Sequence, residues 1–388
     1  MSILGVVAEY DPFHNGHARH LALAREQVCP DETLVVLSPC LKQRGTLSLL
    51  SPSDRARCAL GAGADAVFAL PVLWTVRDAE HYALGSVSLL ASLGATHLAF
   101  GAETDDLSLL FRTAELLESP SPGFTSFLRR ALAAGTGYPA ALSAAVSAVL
   151  PEASGLLDRP NNTLAVCYLR AILRLGVSLQ PVVIRRTGNY RAEAVDVSAP
   201  SASALRSALR RGDYTALDAV PPTAAAVLRQ RFLDGTVPDE AVADMLLMSR
   251  LRSMTPEDYA CLPDLSEGME NALRTAAASA RGRKELAETL CGRRYPASRI
   301  SRLCACALLG VTQDMIGNLP LPGHALLLGL RRNPRMTARW KSGSFPVIPS
   351  FSEWKKAAHP ADLAAWRLWT QCCRLPDTLP FTEKTVVL

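Results

Sequence analysis

Hydrophobic residues follow two different periods along the first half of the chain, one typical of buried strands and one typical of amphipathic helices. Short apolar runs occur at residues 3–8, 33–38, 66–70, 97–100 and 181–185. The segments between them carry apolar residues every three or four positions, which predicts helices beginning near Asn15, after Ser51 and near Asp78. Strands and helices that alternate in this order predict a parallel sheet covered by helices on both faces, with ligands bound outside the carboxyl ends of the strands.

The pattern changes in the second half of the chain. From about residue 221 onward strand-like runs fade and helical periods dominate, which places a domain boundary near residues 213–222. We therefore predict an α/β domain over residues 1–215 and a mainly helical domain over residues 216–388. A chain of 388 residues, 49% of them hydrophobic, is long enough to bury two cores.

Charged residues give the helical half a basic character. Residues 281–302 contain seven Lys or Arg against two acids, and a second basic cluster follows at residues 331–341. Such an imbalance suits the backbone of a nucleic acid, although a solvated helix face would show the same charges. The net charge of +5 permits an anionic partner without requiring one.

Composition also narrows the cellular setting. Ten cysteines are scattered without the spacing of a disulfide framework or a zinc site, so we expect most of them to be buried and reduced. No stretch is apolar for long enough to span a bilayer, and the N-terminus enters a strand without a basic signal-peptide region. These features predict a cytoplasmic protein with no membrane partner and do not indicate its oligomeric state.

The strongest candidate for chemistry is the turn that follows the first strand. His14, Asn15, Gly16 and His17 lie between that strand and the first helix, so two imidazoles, a glycine and a helix N-terminus come together. A helix N-terminus binds phosphate, and a histidine there can donate a hydrogen bond as charge builds on an α-phosphate. Gly16 would let a ribose or a base approach the backbone. His20 completes the spacing of a metal site, but no nearby acid or cysteine completes a tetrahedral set, so we do not predict zinc.

Further candidates follow the later strands. Arg186 comes directly after the strand at 181–185, and Arg206 lies in the first turns of a helix that a serine opens, so both can bind outer phosphates. Gly101, at the end of the strand at 97–100, either admits adenosine or only forms a turn.

Several polar residues have both a ligand-binding and a purely structural interpretation. Asn161 and Asn162 either contact base and ribose or cap a helix, and Ser201 and Ser203 either bind phosphate or only cap one. Glu9 and Glu103 either orient a ligand or form surface salt bridges, and these alternatives stay open at this point.

A set of short strings in a fixed order carries a resemblance. The strings are AEYDPFHNGH at 8–17, KQRG at 42–45, FGAE at 100–103, RPNNTLA at 159–165, SASALR at 201–206 and YPASRISRL at 295–303, followed by the basic segment near Arg335. The histidine-x-glycine-histidine string alone resembles the motif of the adenylyl-transferring nucleotidyltransferase superfamily. The ordered set, which spans nearly the whole chain, resembles the tRNA(Met) cytidine acetate ligase family.

This resemblance implies a Rossmann-like nucleotidyltransferase domain followed by a helical tRNA-binding domain, and it implies a reaction. Acetate and ATP would form acetyl-adenylate and pyrophosphate. The acetyl group would then pass to the exocyclic amine of the wobble cytidine of elongator tRNA(Met), giving N4-acetylcytidine. Mg²⁺ is expected on the triphosphate, and we name no protein ligand for it.

The resemblance and the residue patterns together define the expected sites. We assign catalysis to His14, His17 and Arg206. The expected ATP site comprises Val7, Ala8, Glu9, Tyr10, Asp11, Pro12, Phe13, Asn15, Gly16, His20, Gly101, Asn161, Asn162, Arg186, Ser201 and Ser203. The expected tRNA-binding residues are Arg293, Arg294, Arg299, Arg302, Arg335, Arg339 and Lys341.

Two other functions fit the same chain. One is a nucleotidyltransferase that adenylylates a small phosphorylated metabolite, and the other is a non-catalytic RNA-binding relative. Asp11 bears on this choice, because the resemblance implies asparagine there. A carboxylate repels a triphosphate unless Mg²⁺ or an arginine intervenes.

Overall fold

The computed structural model describes residues 1–186, 200–265, 268–292, 295–378 and 384–388. Within these ranges the strands are β1 (Ile3–Ala8), β2 (Glu32–Leu37), β3 (Ala66–Ala69), β4 (His97–Ala102), β5 (Gln180–Arg185), β6 (Ala325–Leu330), β7 (Val347–Ile348) and β8 (Val386–Val387). The helices are α1 (Asn15–Val28), α2 (Pro52–Gly61), α3 (Val72–Thr75), α4 (Ala79–Ser92), α5 (Leu107–Glu118), α6 (Pro122–Ala133), α7 (Tyr138–Val149), α8 (Pro160–Leu175), α9 (Ala202–Arg210), α10 (Pro222–Leu233), α11 (Glu240–Ser253), α12 (Pro256–Ala260), α13 (Met269–Ser279), α14 (Arg283–Leu290), α15 (Ala297–Leu309), α16 (Gln313–Gly317), α17 (Pro334–Ser342), α18 (Phe351–Ala357) and α19 (Pro360–Cys372).

The strands form one mixed sheet in the order β5-β4-β1-β2-β3-β6, with β7 and β8 paired to β6. The first five are parallel to one another, and β6 runs antiparallel to β3. The chain passes from β1 to β2 on one side and later returns to β4 on the other side of β1. The strand order therefore reverses beside β1, and such a switch point opens a crevice at the carboxyl ends of the strands.

Capping residues set the helix boundaries near this edge. The Ser51 side chain accepts a hydrogen bond from Asp54 N at 3.0 Å at the start of α2, where Pro52 occupies the first turn. The Asp78 side chain likewise accepts from His81 N at 3.0 Å and begins α4. These are the short polar side chains that satisfy free backbone N–H groups at helix starts.

The two faces of the sheet bury different helices. On one face Leu4 and Val6 belong to a core that continues into the helical second half and includes Leu247, Leu303 and Trp366. On the other face β1 and β4 pack against α4 and α8. The helical half is thus packed onto one sheet face through a continuous apolar core.

The predicted α/β fold with a mainly helical second half is confirmed, with one correction. The five parallel strands lie within two residues of their expected bounds, but three further strands, β6 to β8, return to the sheet from residues 325–387. The β6 run ALLLGL is apolar on both faces, so its period does not distinguish a strand from a buried helix. The predicted domain division implied that residues 216–388 are separate from the sheet. In the structure, β6 to β8 from this half belong to the sheet.

Two other properties follow from this packing. Seven of the ten cysteines are buried, and all ten are free thiols. Within the described ranges, no helix combines the length and the apolar composition needed to cross a membrane.

Candidate active site

The turn between β1 and α1 places two imidazole rings at the switch point. His14 is the N-cap residue of α1, and its ring stacks on that of His17 with the centroids 3.6 Å apart and the planes at 21°. A Cβ on Gly16 would lie 2.9 Å from His14 Cε1, so the glycine makes room for this ring. The sequence predicted that Gly16 lets a ligand approach the backbone. In the structure the ring beside Gly16 is that of His14, a neighbour that the sequence did not suggest.

Burial keeps His14, His17 and His20 neutral. Desolvation, together with the cations Arg186 and Arg206, lowers the pKa of His14 to about 3. Desolvation and Arg186 lower the pKa of His20 to about 4. The pKa of His17 is also far below its usual value, first because it is buried and then because His14 and Arg186 lie nearby. Each ring therefore carries one N–H donor and one acceptor at neutral pH.

Hydrogen bonds assign the protons on these rings. His17 Nδ1 accepts from the backbone N of His14 at 3.3 Å, which leaves the proton of the neutral ring on Nε2. Nδ1 of His14 and Nε2 of His20 are buried without a hydrogen-bond partner among the described residues. Buried nitrogens without partners are costly, and a ligand with several oxygens would satisfy those that carry protons.

Asp11 lies in the same turn, and its charge is neutralised from two directions. Its Oδ2 lies 2.7 Å from Lys42 Nζ and 3.4 Å from Arg206 Nη1, and its Oδ1 accepts from Leu49 N at 2.5 Å. Burial alone would raise the pKa of this carboxyl group, but Lys42, Arg206 and Arg55 outweigh it and lower the pKa to about 2. The carboxylate thus has an internal cation partner, so its expected repulsion of a triphosphate is offset.

Arg206 is held against this turn. Its Nη1 also donates a hydrogen bond to the backbone O of Asp11. Its helix, α9, begins at Ser201, whose Oγ accepts from Ala204 N at 3.1 Å and lies 3.2 Å from Ser203 Oγ. Ser201 therefore caps the helix that carries Arg206, whatever further role it has.

Gly101, Arg186 and His20 meet on the other side of β1. A Cβ on Gly101 would lie 3.0 Å from Cγ and Cδ of Arg186 and 3.8 Å from the ring of His20. Arg186 N donates to Ala102 O at 2.8 Å, which continues the register of β5 with β4. The glycine therefore lets the Arg186 side chain cross β4 toward the histidines.

Asn161 and Asn162 form a junction with Glu103. Glu103 Oε1 accepts from Asn161 Nδ2 at 2.6 Å, and Oε2 accepts from Asn162 N at 2.7 Å. In return, Asn162 Oδ1 accepts from the backbone N of Glu103 at 2.8 Å and of Thr104 at 3.1 Å. These contacts tie the end of β4 to the start of α8. Neither asparagine is the N-cap of α8, because Arg159 holds that position.

Arg55 supports the candidate site, and the sequence analysis did not identify it. Its guanidinium group is fully buried and donates to Glu9 O at 2.7 Å and to Ser38 O at 2.9 Å. It thereby joins the segments that follow β1 and β2. In sequence it is only one arginine in the first turn of an ordinary helix, and nothing there indicates this role.

The remaining expected ATP residues line or support the same edge. Phe13 is buried and packs on Tyr10 with ring centroids 4.6 Å apart. Asn15 Nδ2 donates to Asp218 O at 3.3 Å. Val7, Ala8, Glu9 and Pro12 lie at the end of β1 and in the turn that follows it. Among the described residues, no group of three or more His, Cys, Asp or Glu side chains is placed to hold a metal ion.

Comparisons with known proteins bear on what this edge does. A family model described as HIGH Nucleotidyl Transferase matches residues 1–378. A tRNA(Met) cytidine acetate ligase of Acetivibrio thermocellus is 31% identical, over 97% of this chain and 96% of its own length. The chain belongs to the tRNA(Met) cytidine acetate ligase family.

Two solved structures of one member of the tRNA(Met) cytidine acetate ligase family have the same fold. The apo crystal structure of Thermotoga maritima TmcAL superposes with a TM-score of 0.94 at 26% identity, and each chain is covered completely. TmcAL of the same organism bound with α-thio ATP superposes with a TM-score of 0.91, again over both whole chains. A ligand-free and a nucleotide-bound relative therefore both share the architecture described above.

In this acetate ligase family member, the KQRG segment connects the histidine turn to the helical half. Gln43 N donates to Glu9 Oε1 at 2.8 Å, and Gln43 Nε2 donates to Arg77 O at 2.6 Å. A Cβ on Gly45, which has a φ of +76°, would lie 2.6 Å from Ser301 O in α15. The glycine is required here both by its backbone conformation and by the close approach to α15.

The expected tRNA-binding residues on and near α15 have different environments. Arg299 Nε donates to Asp264 O at 3.1 Å, and its Cζ lies 4.4 Å from the centroid of the Tyr295 ring. Its guanidinium group is therefore already engaged within the protein. Arg302 is half-buried, and its Nε is buried without a hydrogen-bond partner among the described residues. Arg293 and Arg294 lie outside the described residues.

The second basic cluster lies at the other edge of the sheet. Arg339, in α17, forms an ion pair with the buried Glu32 at the start of β2, and its predicted tRNA contact competes with this structural role. Arg335 and Lys341 on the same helix are exposed. Because β6 runs antiparallel to β3, α17 follows the edge opposite to the histidine turn.

Proposed function

We propose that this protein is an ATP-dependent ligase that activates acetate as acetyl-adenylate and acetylates the wobble cytidine of elongator tRNA(Met). The observation that carries the proposal is the stacked pair of neutral imidazoles at the N-terminus of α1, faced by Arg186 and Arg206 at the switch point. Full-length similarity to a tRNA(Met) cytidine acetate ligase supports the choice of acceptor.

The first step is attack of the acetate carboxylate on the α-phosphate of ATP. An acetate oxygen forms a bond to phosphorus, and the bond to the β-phosphate oxygen breaks as pyrophosphate leaves. We assign to His17 Nε2–H a hydrogen bond to a non-bridging oxygen, together with the free N–H groups of the α1 N-terminus. We assign the outer phosphates to Arg206 and Arg186, because guanidinium groups bind phosphate with two parallel hydrogen bonds.

The second step transfers the acetyl group. The exocyclic nitrogen of cytidine attacks the carbonyl carbon, the bond from carbon to the phosphate oxygen breaks, and AMP leaves as the nitrogen loses a proton. The site contributes chiefly by positioning the reactants. The two leaving groups, pyrophosphate and AMP, are stabilised by the same groups that contact ATP.

The carboxylates at this edge do not fit a protein-held Mg²⁺ site. Both oxygens of Asp11 and both of Glu103 are engaged, and Glu9 has one oxygen bound to Gln43 N. We therefore assign Mg²⁺ to the triphosphate of the substrate.

For the tRNA surface we favour the side of α15 over the side of α17. Arg302 lies on the same edge as the KQRG segment, whereas Arg335, Arg339 and Lys341 follow the opposite edge. The anticodon must reach the adenylate, so we place the tRNA surface on the edge that carries the KQRG segment and α15.

One experiment separates this proposal from its two alternatives. The full chain is incubated with ATP, radiolabelled acetate and total tRNA, and acetate-dependent ATP–pyrophosphate exchange is measured in parallel. We expect label in tRNA and exchange that depends on acetate. Exchange that instead requires a phosphorylated metabolite indicates the metabolite enzyme, and tRNA binding without any exchange indicates the non-catalytic relative.

A matched pair of variants tests the role of the imidazole. His17→Asn should lower the exchange rate by roughly 10²–10³-fold, the usual cost of losing one preorganised donor, and leave tRNA binding unchanged. His97→Asn, at the start of β4 on the opposite edge, is the control and should retain exchange. Undiminished exchange in His17→Asn would remove this residue from the mechanism.

A further inference from the structure

The carboxylates at the edge of the sheet that carries the histidine turn differ in what they leave free. Both oxygens of Asp11 and both oxygens of Glu103 are occupied within the protein. Glu9 Oε1 accepts from Gln43 N at 2.8 Å, whereas its Oε2 forms no hydrogen bond or ion pair with the described residues. The charge of Lys42 acts on Glu9, but its ammonium group is bound to Asp11. One oxygen of the half-buried Glu9 is therefore available to a ligand.

Backbone contacts fix the position of Glu9. Strands β1 and β2 end in register, so Glu9 and Ser38 lie next to each other just beyond the two strands. Arg55 Nη1 donates to the backbone oxygens of both residues, at 2.7 and 2.9 Å, and holds them together. Because the hydrogen bond from Gln43 N also fixes Oε1, the orientation of the carboxylate is set before any ligand binds.

The carboxylate lies on the face of the sheet that α4 covers. Side chains at matched positions of neighbouring parallel strands point to the same face. Ser38 Oγ lies 3.1 Å from Oη of Tyr82 in α4, so its neighbour Glu9 points toward α4 as well. Burial raises the pKa of Tyr82 and the charge of Glu9 adds to the rise, which agrees with this position.

The histidine turn lies across the end of β1 from this carboxylate. Leu21 of α1 belongs to the same core as Val6, whereas Tyr82 of α4 belongs to the core on the other face. Phosphates at the N-terminus of α1 and a ligand at Glu9 therefore occupy the two sides of one strand end. This separation limits the repulsion between the carboxylate and a triphosphate, and it places a ligand of Glu9 beside the adenylate.

The charge of Glu9 determines which reactant suits it. A carboxylate oxygen accepts hydrogen bonds and protons, and it repels acetate and phosphate. Cytosine presents two N–H donors on its exocyclic nitrogen, whereas uracil presents an acceptor oxygen at the same place. That nitrogen is also the nucleophile of the second step and has to lose a proton. Among acetate, triphosphate and cytidine, only the amine of cytidine fits both properties of the carboxylate.

We propose that Glu9 Oε2 accepts a hydrogen bond from the exocyclic amine of the acceptor cytidine and takes the proton that this nitrogen loses on acetylation. The inference rests on the proposed function, which supplies cytidine as the acceptor. The nitrogen lone pair forms the bond to the acetyl carbon, and the bond from that carbon to the phosphate oxygen breaks with its electron pair kept by AMP. The proton passes to Oε2 and from there to water.

The test compares Glu9→Gln with the unmodified full chain. The amide keeps an oxygen that can accept from Gln43 N, and it replaces Oε2 by a nitrogen donor. Glu115→Gln, at an exposed position on α5, is the control for loss of one negative charge. Binding is measured with two synthetic anticodon stem–loops of elongator tRNA(Met), which carry cytidine or uridine at the wobble position. Acetate-dependent ATP–pyrophosphate exchange and acetyl transfer to the cytidine stem–loop are measured in parallel.

The unmodified protein should bind the cytidine stem–loop about tenfold more tightly than the uridine stem–loop. Glu9→Gln should abolish or reverse this preference, because an amide N–H pairs with the uracil oxygen and opposes an amine. The ratio of acetyl transfer to exchange should fall by roughly 10²-fold or more in Glu9→Gln, which is the usual contribution of a general base. Glu115→Gln should keep both the preference and the ratio.

Three results would overturn the inference. These are equal binding of the two stem–loops by the unmodified protein, an unchanged preference for cytidine in Glu9→Gln, or equal falls of exchange and transfer, which would place Glu9 at ATP instead. Should Glu9→Gln fail to fold, equal binding of the two stem–loops by Glu9→Asp, which keeps the charge, would count against the inference in the same way. Absence of exchange in the unmodified protein would refute the proposed function, whereas normal exchange with an unaltered base preference in Glu9→Gln would refute this inference alone.

Discussion

The ion pair between Asp11 and Lys42 offers a quantitative test of how the active site tolerates a carboxylate. The two side chains are 1% and 10% exposed, and Lys42 Nζ lies 2.7 Å from Asp11 Oδ2. Asp11→Asn keeps an oxygen that can accept the 2.5 Å hydrogen bond from Leu49 N, so it removes the charge and spares that contact. Lys42→Met keeps most of the side-chain volume and removes the other charge.

The expected magnitudes follow from burial. Removing one partner of a buried ion pair typically costs about 3–5 kcal/mol, because the remaining charge is left uncompensated. We expect the lower end here, since Lys42 keeps some solvent contact and Arg206, 25% exposed, remains beside Asp11. Removing both charges is often nearly neutral, so the double variant should be more stable than either single variant, and the coupling free energy should exceed the cost of either single substitution.

Urea denaturation at pH 7 measures the free energy of unfolding of the unmodified protein, the two single variants and the double variant. The values can be compared if the four m-values are equal. ATP affinity, measured by calorimetry, should rise in Asp11→Asn, where Lys42 is released toward the phosphates. It should fall in Lys42→Met, where Asp11 loses its nearest cation. Additive losses of stability in the double variant, or unchanged ATP affinity in Lys42→Met, would refute the view that Lys42 neutralises Asp11.

Three further predictions concern the same edge of the sheet. Because folding depresses the pKa of His20 to about 4 from an unfolded value near 6.5, the unfolded chain binds the proton first, so stability is lost as the pH falls from 6.5 toward 4. The shift corresponds to about 3 kcal/mol, and urea midpoints at pH 7.5 and 5 should differ less in His20→Asn than in the unmodified protein; equal differences would contradict this. Gly45→Ala should destabilise the protein by at least ~1 kcal/mol, since the added Cβ meets Ser301 O and the φ of +76° disfavours alanine, and an unchanged urea midpoint would argue against the contact with α15. Glu103→Gln should cost roughly 1–3 kcal/mol by placing a donor against backbone N–H groups of α8, and undiminished protection of these amides in hydrogen exchange would show that the junction is dispensable.

Local sequence determined the parallel strands and the histidine turn. The run at Ile3–Ala8, the capping residues Ser51 and Asp78 and the helix start at Asn15 all act within a few residues of one another, so period and capping chemistry were sufficient to predict them. The order of the strands also placed the turn at a carboxyl edge. The sequence did not reveal β6, because an apolar run buried on both faces has no period of its own.

Only the tertiary structure decided the charge state of the site. Lys42 lies 31 residues from Asp11 and Arg206 lies 195 residues away, and their convergence turns a repulsive carboxylate into an internal ion pair. The pKa values of the histidines and the junction of Glu103 with α8 depend on distant segments in the same way. Burial and Coulomb interactions depend on distance in space, whereas a sequence pattern reports only neighbours along the chain.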